Sequence, residues 1–117
     1  MKVKKHYPIH VYDKTFMVNF YISYGVCEHI YQKAVKGILQ CEPQVDLKDG
    51  NMSIYDNKKN GSQIYWIWTK YKDVSCLVHE CFHAIHFLLK DKGIKLSHDS
   101  DEIYAYMLQM LVKEVLK

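Results

Sequence analysis

Apolar and polar positions change rhythm repeatedly along this chain, and each change marks an element. Residues 7–12 (YPIHVY) are rich in β-formers, and residues 15–22 (TFMVNFYI) alternate in part, with Asp13-Lys14 between them as a turn. Together they predict an antiparallel hairpin. After Ser23 and Gly25, the residues Val26, Ile30, Ala34, Val35, Ile38 and Leu39 recur at helical spacing. A helix is expected from about 26 to 40, closed by Pro43.

Strand signals then return. A short strand is expected within 44–49 and a weak one over 51–56 (NMSIYD). The tract Asp56 to Gly61 (DNKKNG) is a loop, and residues 63–69 (QIYWIWT) form the strongest strand of the chain. From Asp73 to about Lys90 the period is helical again. Val74, Leu77, Val78, Cys81, Ile85, Leu88 and Leu89 make a wide apolar stripe that Gly93 ends. Residues 94–99 read as a loop. Ser100 is an N-cap candidate, with Asp101 and Glu102 in the first turn of a last helix over about 101–116. Its core candidates are Ile103, Met107, Met110, Leu111 and Val115.

The order hairpin, helix, hairpin, helix, helix predicts an α+β fold: a small, mostly antiparallel sheet packed with about three helices. At 117 residues there is room for one core, so a single domain spanning 1–117 is expected. Apolar residues make up 49 % and charged residues 25 %, which suits a folded domain rather than a disordered one.

Charge narrows the partners. The net charge is +3, and all sixteen basic residues are Lys. Arg is the residue of bidentate phosphate and guanine contacts, so its absence speaks against sequence-specific nucleic-acid binding. Lys2, Lys4 and Lys5 read as a solvated end. No apolar run of about 18 residues occurs, so no membrane span is expected. The cysteines at 27, 41, 76 and 81 form no C-x-x-C pair, and with no signal peptide they read as free thiols of a cytoplasmic protein.

Chemistry concentrates in Val78-His79-Glu80-Cys81-Phe82-His83, which contains H-E-x-x-H inside the helical run. Positions i and i+4 share a helix face, so two imidazoles there can hold one metal ion. Glu80 is rotated about 100° from His79, a position from which it reaches a metal-bound water as general base. A catalytic zinc needs a third protein ligand. Glu102 is the first choice, at the start of the last helix, and Asp101, Asp99 and His98 compete with it. His86 shares the face of His79 but lies seven residues away, about 10.5 Å along the axis, too far for one ion to bind both. Tyr106, Tyr104 and His98 are candidate donors to an oxyanion, with Tyr104 facing elsewhere than Glu102.

H-E-x-x-H on one helix with a Glu on a later helix resembles the gluzincin branch of zinc metallopeptidases. HECFHAIH followed by SDEIYAYMLQ is similar to the small zincin-type metallopeptidases encoded by bacteriophages and prophages, a likeness confined to roughly residues 74–112. The resemblance implies that His79, His83 and Glu102 bind Zn2+ and that Glu80 is the catalytic acid/base. Where larger gluzincins often carry an Asp four residues after the ligand Glu, this chain has Tyr106, which puts support of a ligand His on Tyr106, Asp101 or a carbonyl. A zincin-like fold, a peptide or protein substrate, and peptide pairing along an edge strand are implied as well, with residues 63–69 offered for that strand. The competing readings are a phage-type binding protein that inhibits a host protein without turnover, and a hydrolase of a non-peptide amide.

Overall fold

The computed structural model describes residues 7–43, 49–56 and 62–117. The Lys2, Lys4 and Lys5 cluster, the strand expected within 44–49 apart from Asp49, and most of the 56–61 loop lie outside the described residues. The elements follow the expected order: β1 (Ile9–Asp13), β2 (Val18–Tyr24), α1 (Glu28–Leu39), β3 (Gly50–Asp56), β4 (Gln63–Thr69), α2 (Val74–Asp91) and α3 (Asp101–Leu116).

The fold is α+β, with one four-stranded sheet in the order β1-β2-β4-β3. β1 pairs antiparallel with β2 and β3 antiparallel with β4, so both hairpins form. They join through a parallel β2–β4 pairing, Asn19 against Ile64 through Tyr24 against Thr69, which makes the sheet mixed. Parallel neighbours need a long crossover, and here α1 and β3 lie between them in sequence.

Each face of the sheet carries its own core. Val18, Phe20, Ile22, Tyr65 and Ile67 point to one face and pack with Leu77, Cys81, Ala84, Ile85, Leu88 and Leu89 of α2 and with Tyr104, Met107, Leu111 and Val115 of α3. Trp66, Trp68, Ile64 and Tyr55 point to the other, where Tyr31 and Val35 of α1 cover them. The polar tips of this second layer are satisfied. Trp66 Nε1 donates to Ser23 Oγ (3.0 Å), Trp68 Nε1 donates to the Val26 carbonyl (2.8 Å), and the Tyr31 and Tyr55 hydroxyls bond each other at 2.9 Å. Burial pushes the pKa of the Tyr31 hydroxyl up.

Local chemistry moves some boundaries. The first turn is longer than Asp13-Lys14, because the Asp13 carboxylate accepts from the Phe16 amide at 2.8 Å and Met17 takes a left-handed φ of 56°. α2 starts where Asp73 Oδ1 accepts from the Ser75 amide at 2.9 Å. It ends in a Schellman motif. Gly93 has φ 79°, its amide donates to Lys90 O, and the Ile94 amide donates to Leu89 O. Ser100 does stand at the N-cap of α3, but its side chain makes no capping bond. Its hydroxyl instead bonds the Lys95 carbonyl, the Ser97 amide and the Ser97 hydroxyl, so it ties the α2–α3 loop rather than the helix. No helix among the described residues is long and apolar enough to cross a membrane.

Burial also sets an alkaline limit. The Tyr65 hydroxyl is pushed up from 10.0 to about 12, first by desolvation and then by the Asp91 carboxylate. The Cys81 thiol is pushed up from 9.0 to about 12, first by desolvation and then by Glu80. Below about pH 9 both groups are protonated in the folded and unfolded chain alike, and their contribution is constant. From there up to about 12 the unfolded chain releases protons that the folded chain keeps, so stability falls as pH rises. Urea midpoints measured from pH 8 to 11 are expected to hold to about 9 and then drop. The drop is shallower in Tyr65→Phe, and an unchanged profile in that variant refutes the assignment.

Candidate functional site

The apolar stripe of α2 fixes its rotation on the sheet. With Leu77, Cys81, Ala84 and Leu88 turned inward, His79, Glu80, His83 and Phe87 line a cleft toward β3, together with Gly50, Asn51 and Met52. The space is about 300 Å3 and open to solvent. An adjoining cleft runs toward the start of α2, past Asp49, Ser75 and Cys76.

The two imidazoles face one point. His79 Nε2 and His83 Nε2 are 3.1 Å apart, with the rings crossed at 84°. Two nitrogens each 2.0–2.1 Å from a tetrahedral metal stand about 3.3 Å apart, so the pair already has the spacing of two ligands on one ion. A Glu80 oxygen joins them, all three atoms lying within 4.8 Å of one another. That distance suits a carboxylate beside the ion as well as one bound to it. Imidazole nitrogen with carboxylate oxygen is a donor set that zinc accepts.

Negative charge gathers at this end of α2. The Cys76 thiol is raised by partial burial and then by the carboxylates of Asp73, Glu80 and Asp49. Asp73 itself is held below the ordinary carboxylate range by the Ser75 side-chain and backbone hydrogen bonds. Such a field favours a cation in the cleft.

The remaining sequence candidates sit elsewhere. Among the described residues, the group of ligand atoms is His79, Glu80 and His83, and it does not include Glu102, Asp101, Asp99 or His98. Those four are exposed. Tyr106 is 66 % exposed and does not line the cleft. The Tyr104 hydroxyl is committed to the Ile94 carbonyl at 2.8 Å. His86 stays out of the metal group, as its spacing requires, and stacks on Phe82 with centroids 5.9 Å apart.

The strand offered for peptide pairing is corrected. β4 (63–69) has β2 on one edge and β3 on the other, so neither edge is open to a further strand. The edge beside the histidines is β3. The Lys70 amide donates to the Asp49 carbonyl, and antiparallel bonds alternate from there, so Gly50 and Met52 turn their backbone N–H and C=O outward.

Gly50 is a site residue that sequence reasoning missed. A methyl group on its Cα would stand 3.2 Å from the Trp68 carbonyl oxygen and 3.4 Å from Glu80 Oε2. The bare Cα therefore suits the close approach of the Trp68 carbonyl, while the Glu80 carboxylate is at ordinary contact distance. In the sequence, Asp49-Gly50 carries only a turn signal. Phe87 had a readable signal, one helical turn beyond His83.

Gly50→Ala is expected to cost about 1–3 kcal/mol of stability through this crowding. The cost should persist in a Glu80→Ala background, because the crowded group is the Trp68 backbone carbonyl and the Glu80 side chain lies at ordinary contact distance. Urea midpoints of the single and double variants measure this, and a cost that vanishes without Glu80 would place the crowding on that side chain instead.

Compared with protein-family models, curated proteins and solved structures, the chain finds no match.

Proposed function

We propose that this protein is a zinc-dependent hydrolase of peptide or protein amide bonds, with a zincin-like site on α2. The observation that carries the proposal is the pair of Nε2 atoms 3.1 Å apart, with the Glu80 carboxylate beside them at an open cleft. A site that only stabilises the fold closes four ligands around the ion, and it needs neither an adjacent carboxylate nor access from solvent.

His79 and His83 would hold the ion. Zinc held there would supply Lewis acidity toward a carbonyl and toward water near neutral pH. Glu80 takes the proton from the attacking water and gives it to the leaving amine. The outward N–H and C=O groups of Gly50 and Met52 offer an extended peptide a strand to pair with, which lays its backbone across the same cleft. A third ligand completes a catalytic set, and Glu102 is the residue the family resemblance assigns to it. Glu102 lies outside the His79, Glu80 and His83 group, so ligation by it would require the start of α3 to move toward the histidines.

Metal content and hydrolysis test the proposal together. Purified protein supplied with zinc is expected to retain about one ion per chain, and His83→Ala to lose it. Glu102→Gln should weaken zinc binding if Glu102 is the third ligand, and leave it unchanged if it is not. Glu80→Gln should keep the zinc and lose hydrolysis of a peptide mixture by at least about a hundredfold. Zinc binding with equal biological activity in Glu80→Gln would sink the hydrolase reading and favour a protein that blocks a partner by binding.

A further inference from the structure

The cleft has chemically different ends. At its far end from Asp49 and Cys76 stand two apolar side chains, Met52 on β3 and Phe87 on α2. Phe87 is 47 % exposed, although Leu88 and Leu89 beside it are fully buried. It contributes nothing to the core, and its ring is kept at the cleft wall by the same helix face that presents the histidines. Met52 is half-buried opposite, and its flexible thioether adapts to the shape of whatever enters.

Position along the cleft decides what these residues meet. From the midpoint of His79 and His83 to Phe87 is six residues, about 9 Å along the helix axis. An extended peptide advances about 3.4 Å per residue, so a side chain two or three residues from the bond beside the histidines reaches the Phe87 ring. Met52 lies one outward-facing position beyond Gly50, which lines the cleft with Glu80. Both elements therefore place an apolar side chain on the same side of the metal group, away from Asp49 and Cys76.

We infer that Phe87 and Met52 form a specificity subsite for a large apolar side chain of the substrate, two or three residues from the bond cleaved. The inference rests on the proposed metal centre and adds to it the substrate feature that the cleft selects. Burying such a side chain against an aromatic ring and a thioether favours it over glycine by about tenfold or more.

The test uses the full chain loaded with cobalt(II), whose visible spectrum reports the metal site without any turnover. Two sets of hydroxamates are titrated: peptidyl hydroxamates, which extend to the amino side of the metal group, and succinyl-peptide hydroxamates, which extend to the carboxyl side. In each set an all-glycine compound is compared with compounds carrying one Phe at the first, second or third residue. The expected result is at least about tenfold tighter binding for Phe at the second or third residue of one set. That preference should collapse in Phe87→Ala and shrink in Met52→Ala, with the cobalt spectrum of the free protein unchanged in both. A normal cobalt spectrum with equal affinity for all compounds, or a preference that survives both variants, overturns the subsite and leaves the metal centre standing. Failure of the wild-type protein to take up cobalt at all overturns the metal centre, and the subsite with it.

Discussion

Side chains from Ile64 through Thr69 are buried one after another along β4, and this demands a layer on each face of the strand and a partner on each edge. The rest of the molecule meets that demand. β2 and β3 take the edges, α2 with α3 takes one face, and α1 takes the other. The end of β4 is a junction as well. Thr69 is buried, its carbonyl accepts from the amides of Gly25 and Val26, and its hydroxyl donates to the Tyr71 carbonyl. The end of β2, the approach to α1 and the approach to α2 are thereby tied to one residue. The position of the histidines relative to β3 follows from where α2 leaves this junction.

Local periodicity was enough to read the elements, because helix and strand repeats are written in neighbouring residues. The spacing of His79 and His83 was legible for the same reason, since a helix alone brings i and i+4 together. Partners distant in sequence were not. The parallel pairing of β2 with β4 depends on a crossover whose return path no local pattern encodes. The shared cleft of Gly50 and Glu80 joins an edge strand to a helix about thirty residues away, and glycine leaves no side chain to signal it. One error was avoidable. QIYWIWT is apolar on both alternations, which marks a strand covered on both faces and suits the middle of a sheet rather than its rim. Whether Glu102 meets the histidines depends on how far α3 slides along α2, a tertiary quantity that its place in the sequence does not determine.

The two faces of the sheet divide the work. On the α2 side the core is mostly aliphatic, and Ser75, His79, Glu80 and His83 of the helix border β3. On the α1 side the core is aromatic and hydrogen-bonded, with Tyr31 stacked on Trp68 at 5.1 Å and Tyr21 on Trp66 at 4.8 Å. A polar core of this kind specifies one arrangement only when every member is satisfied, and among the described residues no buried side-chain polar atom lacks a partner. The candidate site is thus carried on a platform whose geometry is set from behind.

The placement of both indoles in that rear layer has an optical consequence. Trp66 and Trp68 are the only tryptophans of the chain, and both point away from the histidines, with the thickness of the sheet between. Their emission is a gauge of how tightly α1 is seated. A ligand that does not absorb at the emission wavelengths of tryptophan leaves that signal in place unless it bends the sheet itself, so a change on adding such a ligand would register mechanical coupling through β4 rather than occupancy.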